Sequence, residues 1–265
     1  MTDADALAGA GHSERAGDGI PPVSSGTPEP PPAVVGEEKV MSLVDHLSEL
    51  RSRVARVILA VVAGSVVGWL VATEVRNILI RPIGSAQVLA PGDAFVIQLK
   101  ISLLVGIILA MPVILYQVWV FVAPGLTRSE RRILGPLILL ALLFFALGVG
   151  LAYVVLPYAI GFLLQFTDDV LVQGLAAGPY FDFVTTMFLA FGLIMEFPIV
   201  LFALSRVGIV TSARLAASRR MAILGIAIFA AAATPGGDLV SPLALGLTMY
   251  ALFEGTLLVI RRTGR

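Results

Sequence analysis

The chain has 265 residues, 58% hydrophobic and only 14% charged, with a formal net charge of zero. Soluble domains carry about 25% charged residues, so an apolar surplus laid out in long runs makes this a polytopic, all-α membrane protein. The balanced charge excludes a dominant nucleic-acid footprint.

Residues 1–39 are Pro-, Gly-, Ala- and acid-rich. They hold too little apolar surface to offset the entropy of ordering, so a disordered tail is expected. They also lack the basic and apolar regions of a signal peptide. The membrane domain is expected over residues 40–262, with residues 263–265 as a short C-terminal end. Val40, Leu43, Val44, Leu47, Leu50 and Val54 form one stripe, with Asp45, Glu49 and Ser52 opposite. This pattern predicts an amphipathic surface helix running into a first span near Val54–Ala72. Five more spans are expected at about Val96–Val122, Ile133–Leu156, Phe183–Ser205, Met221–Ala233 and Leu243–Ile260. The last two are predicted to be short. Between Arg220 and Pro235 there is room for only ~21 Å of helix, against a hydrocarbon core of roughly 30 Å. Pro112 predicts a kink in the second span.

Basic residues orient the chain. Arg51, Arg53 and Arg56, Arg128, Arg131 and Arg132, Arg206, Arg214, Arg219 and Arg220, and Arg261, Arg262 and Arg265 all fall on one side. The other side has Arg76 and Arg81, while its later loops carry Asp168, Asp169, Asp182 and Asp238. Both termini are therefore expected in the cytoplasm.

Three stretches carry the chemistry. In "DHLSELRSR" (45–53), Glu49 and Arg53 stand at i,i+4, a pairing that on a solvated face contributes only about 0.3–0.5 kcal/mol. In "PVILYQVWVFVAPGLTRSERR" (112–132), Thr127 and Glu130 have the spacing of a capping box, and Trp119 and Phe121 suit an interfacial aromatic belt. Glu130 could equally present a carboxylate beside aromatic surface. In "AFGLIMEFPIV" (190–200), Glu196 stands alone among apolar residues. A charge at mid-helix costs about 2.5–3.5 kcal/mol, and such groups face protein or water rather than lipid. On one continuous helix, Asp182, Thr185, Leu189, Gly192 and Glu196 would share a stripe.

Elsewhere, Lys100 can snorkel from the second span, and Glu254 stands one turn after Tyr250, within reach of its hydroxyl. With no cysteine, there are no disulfides and no Cys-based metal site. The only histidines, His12 and His46, precede the first span, so no histidine-dependent protease can be built at depth. No P-loop motif occurs either. No enzyme activity, metal or cofactor is expected.

Taken in order and spacing, "HLSELR", Pro82, "PVILYQVWVFVAPGLTRSERR", "FGLIMEFP", "TPGGDLVS" and "YALFE" resemble the TatC family, the multi-spanning receptor subunit of the twin-arginine protein translocase. The resemblance covers about residues 40–262. It implies a non-enzymatic receptor in the cell membrane, with six spans and a concave membrane face. Such a receptor binds the twin-arginine signal of folded cargo at its cytoplasmic face. It works with TatA/TatB-type single-span subunits, self-associates in the receptor complex, and uses the proton-motive force. Carried over residue by residue, Glu49 and Glu130 meet the signal arginines, with Arg51 and Phe121 beside them. Glu196 is the polar residue of the concave face, and Pro82, Pro124, Tyr153 and Asp238 are family-pattern positions. The chain departs from the family at "TPGGD", one residue longer than the commoner form, and at Pro242 and Thr248, where Gln and Pro are usual. The alternative reading is a proton- or ion-coupled small-molecule transporter using Glu196. The sequence lacks the internal repeat on which such folds are usually built.

Overall fold

The structure, a computed structural model, describes residues 43–122, 134–166, 174–206, 208–234 and 238–262. Eight helices are described within them. Helix α1 (Leu43–Ile80) and α2 (Asp93–Val122) form a hairpin, followed by α3 (Leu134–Leu164). The fourth apolar run is divided into α4 (Ala177–Ile194) and α5 (Phe197–Arg206). A single turn, α6 (Ser212–Ala217), leads into α7 (Arg219–Ala233), and the last helix is α8 (Val240–Arg262). Among the described residues, five stretches are long and apolar enough to cross a membrane: Leu47–Ile80, Asp93–Val122, Gly135–Leu164, Ala177–Arg206 and Val240–Arg262.

Helix α7 has 15 residues, or ~22 Å of helix, which agrees with the short fifth span expected from its flanking Arg220 and Pro235. The expectation of a short last span is corrected. Helix α8 has 23 residues, or ~34 Å, because it starts at Val240 rather than Leu243 and runs through both terminal arginines. The first span is also longer than expected. The surface segment and the span are one 38-residue helix, which continues past Ala72 until Pro82 removes a backbone donor. Gly84 then turns the chain away at φ 73°, with its N–H on the Ile80 carbonyl at 3.0 Å.

Helix α4 lies at the centre. Half of the most apolar stretch of the α4–α5 span is buried, against 11% for α1. Phe181, Val184, Met187 and Phe191 of α4 form one core with Ile101 and Leu104 of α2, Ala152 and Leu156 of α3, and Leu245 and Phe253 of α8. A smaller core joins Met111, Leu115 and Trp119 of α2 to Leu137, Ala141 and Phe145 of α3 and to Ile199 and Ala203 of α5. Trp119 is therefore a core residue, 6% exposed, and not part of an interfacial belt. It falls on the face of α2 that α3 and α5 cover.

Two crossings depend on glycine. A Cβ at Gly64 would lie 2.6 Å from the Gly106 carbonyl oxygen, and one at Gly68 would collide with that of Ser102. "GSVVG" (64–68) on α1 thus faces "SLLVG" (102–106) on α2, each with small residues four apart. Without water to drive association, such close backbone approach is how membrane helices gain dispersion contact. The second crossing sets Gly148 of α3 against the Phe191 carbonyl and Gly192 of α4.

Candidate functional site

The helix hairpin α1–α2 brings the "DHLSELRSR" segment against the last turns of α2. Arg53 pairs with Glu49 Oε1 through both Nε and Nη2, and its Nη1 donates to Gln117 Oε1 of α2 at 3.2 Å. Both charged side chains are largely covered, Arg53 to 13% and Glu49 to 19% exposure. Leu47, Leu50 and Val54 face outward, at 63%, 40% and 46%. An outward apolar stripe suits a helix at a membrane surface; of the polar face, Ser52 is exposed, whereas the Glu49–Arg53 pair packs against α2 and is not a solvated pair.

The pair leaves one valence open. Glu49 Oε2 is buried and has no hydrogen-bond partner among the described residues. An ionised carboxylate can accept several hydrogen bonds, a bidentate guanidinium among them, so the Arg53 pair does not exhaust the capacity of Glu49. Gln117, itself 8% exposed, fixes the Arg53 fork and through it the carboxylate.

Not every expected partner gathers here. Phe121 is half-buried one turn beyond Gln117, on the same side of α2. Arg51 is exposed and stands about 200° around α1 from Glu49, so the helix turns it away from the Glu49 face. Glu130 and Pro124, with the Thr127 capping box, lie outside the described residues. Pro82 is exposed in the turn that ends α1, and Tyr153 is 41% exposed on α3. Asp238 is buried, and its Oδ2 accepts the Ser241 N–H at 2.6 Å in the first turn of α8. Among the described residues, no cluster of His, Cys, Asp or Glu side chains is placed to hold a metal.

Glu196 occupies a break in a helix, not its middle. Pro198 has no N–H and crowds the carbonyl four residues back, which ends α4 at Ile194. The chain passes Met195 and Glu196 in a turn, and the Glu196 carbonyl starts α5 by accepting from Ile199 and Val200, each at 3.1 Å. This break corrects the single stripe from Asp182 to Glu196. Asp182 pairs with Lys100 of α2, Gly192 abuts Phe145 of α3, and Glu196 opens elsewhere. It lines an apolar groove of about 510 Å³ with Leu193, Val200, Gly225, Phe229 and Met249. Only 7% of Glu196 is exposed, and its Oε1 has no hydrogen-bond partner among the described residues.

Several links were invisible in the sequence. Arg219 Nη2 donates to Glu254 Oε2 at 2.7 Å, joining α7 to α8, while Tyr250 donates to Glu254 Oε1 at 3.3 Å as its i,i+4 spacing suggested. At the opposite end, the Tyr180 hydroxyl donates to the Leu79 carbonyl at 2.5 Å. Gln87 pairs its backbone with Leu175 and Ala177, each at 2.8 Å. The glycine pattern of the α1–α2 crossing, by contrast, was available to be read.

Comparison with known proteins agrees with this architecture. The family profile described as "Sec-independent protein translocase protein (TatC)" matches residues 45–247. A TatC protein from Carboxydothermus hydrogenoformans is 34% identical over 230 residues, covering 85% of this chain and 95% of that relative. A chloroplastic TATC protein from Arabidopsis thaliana is 34% identical over 234 residues, covering 86% of this chain and 69% of that one. A crystal structure described as the twin arginine translocase receptor TatC superposes with a TM-score of 0.73 at 36% identity, covering 83% of this chain and all of that one. The chain belongs to the TatC family of Sec-independent protein translocases and is a multi-pass membrane protein.

Proposed function

We propose that this translocase subunit is the signal receptor of its complex. It binds the twin-arginine signal of folded cargo at the cytoplasmic face through Glu49 and Glu130, with Phe121 flanking the site. The observation that carries this reading is the unpartnered, buried Oε2 of Glu49, held in place by Arg53 and Gln117. Charge-assisted bonds contribute about 1.5–3 kcal/mol each. Two arginine forks on two carboxylates would therefore supply much of a micromolar affinity, which corresponds to about 8 kcal/mol. Lysine is a point charge without the planar fork and fits less well.

The same reading places both termini in the cytoplasm of a cell whose plasma membrane the protein spans. Self-association and TatA/TatB-type single-span subunits complete the complex, and the proton-motive force drives export. Glu196 receives polar groups of a partner helix or of the inserted signal in its groove. Replacing it by Ala impairs export or assembly while sparing signal binding. Titration of the purified chain with RR and KK signal peptides tests the receptor role. Cysteines at Ser129, Ser212 and Thr263 should be labelled from the cytoplasm and one at Gln173 from outside; outside labelling of Ser212 overturns the orientation.

A further inference from the structure

Two of the apolar grooves among the described residues differ in the polar group they contain. The one beside Glu196 contains an unpartnered carboxylate oxygen. The other, about 420 Å³, lies between α3, α5 and α8, walled by Leu140 and Phe144, Ile199 and Phe202, and Gly255 and Val259. Among the described residues of this lining, Thr256 supplies the only polar side chain, and its Oγ1 already donates to the Leu252 carbonyl at 2.7 Å. A Cβ at Gly255 would meet nothing within 4 Å, so the groove is open down to the backbone of α8. From Ala251 to Val259 it extends roughly 12 Å along the helix, and its volume falls in the range of ordinary ligand sites.

Its rim is basic. Arg206 ends α5 seven residues after Ile199, and Arg262 ends α8 seven residues after Gly255. Seven residues return to within about 20° of the same helix face, so each arginine continues a groove wall towards the membrane surface. The Arg206 guanidinium stacks on Phe202, 4.9 Å from the ring centroid. Apolar walls with a satisfied hydroxyl fit a hydrocarbon chain, and guanidinium groups at headgroup depth fit a phosphate.

We propose that this groove holds one acyl chain of an anionic glycerophospholipid, with the lipid's phosphate between Arg206 and Arg262. A single-span protein helix is the poorer occupant, because the walls offer it no hydrogen bond while the rim calls for an anion. The site is independent of signal binding.

The test titrates the purified full chain with phosphatidylglycerol and phosphatidylcholine of identical chains, read by native mass spectrometry. The wild type should retain one phosphatidylglycerol at roughly ten-fold lower concentration than phosphatidylcholine. Gly255→Phe fills the groove and should abolish retention of both, with a thermal melt confirming that the variant is folded. The Arg206→Gln/Arg262→Gln double variant should still bind a lipid but lose the preference for phosphatidylglycerol, and it decides the matter should Gly255→Phe not fold. Equal retention of both lipids by the wild type overturns the proposal, as does unchanged phosphatidylglycerol binding in folded Gly255→Phe. So does an undiminished preference in the double variant, or a Gly255→Cys crosslink to a single-span protein where no lipid is retained.

Discussion

The two ends of the α1–α2 hairpin meet the rest of the molecule in different ways. At the loop end, Tyr180 holds the Leu79 carbonyl, Gln87 pairs its backbone with Leu175 and Ala177, and Lys100 pairs with Asp182. Each of these polar groups is matched within the protein. At the free end, Arg53 donates to Gln117 across the two helices, and Glu49 Oε2 has no partner among the described residues. One end is matched within the protein, whereas the other leaves a buried carboxylate oxygen without a partner among the described residues, and the proposed receptor role rests on that difference.

The largest effect should come from breaking the crossing that both ends share. Gly68→Leu would drive a side chain into the Ser102 backbone, which cannot rotate away as a side chain would. Destabilisation at the upper end of about 1–3 kcal/mol is expected, measured as a fall in thermal unfolding temperature and in the yield of detergent-extracted protein. An unchanged melt would mean that α1 and α2 can separate without cost.

Glu49→Gln separates recognition from folding. It keeps an acceptor for Arg53 but removes the charge, so twin-arginine peptide binding should weaken roughly 10- to 100-fold, from the loss of about 1.5–3 kcal/mol. Because Arg53 is largely covered and loses its counter-charge, some fall in melting temperature is expected, and binding is compared on protein shown to be folded. A variant that melts early but binds normally would assign Glu49 a structural role instead.

Tyr180→Phe makes the reverse cut. The Leu79 carbonyl is one of the last in α1, where helix carbonyls lack intrahelical partners, and losing the buried hydroxyl should cost about 1–3 kcal/mol of stability. Peptide affinity should be unaffected. The smallest effect is expected at Lys100. Its partner Asp182 is 57% exposed, so Lys100→Gln should change stability by less than about 1 kcal/mol. A larger loss would show that this pair, and not the Tyr180 bond, secures the loop end.

Much of this architecture was legible in the sequence, for a physical reason. Long apolar runs have one stable solution in a bilayer, so α2, α3 and α8 were placed within a few residues at most boundaries. The Glu49–Arg53 pairing was legible too, because i,i+4 spacing is local. Its orientation was not. Local spacing gives the pair but not the neighbour that covers it, and here Gln117, 64 residues on, takes the Arg53 fork. The break before Glu196 was signalled by Pro198 in "FGLIMEFP", yet an unbroken apolar run outweighed it, and the Asp182–Glu196 stripe failed as a result. Arg219–Glu254 and Lys100–Asp182 join residues 35 and 82 apart in sequence, and no local pattern encodes such pairs. The "GSVVG" and "SLLVG" stretches carried a readable signal for the first crossing that hydropathy alone passes over.

In the proposed receptor role, the free end of the hairpin receives arginine forks on carboxylates. The most direct test is the affinity of the purified chain for RR and KK signal peptides, measured side by side in the wild type and in Glu49→Gln. RR peptide should bind more tightly than KK in the wild type, and the preference should shrink when Glu49 loses its charge. Equal affinity for the two peptides in the wild type, or an undiminished RR preference in the variant, would contradict that role.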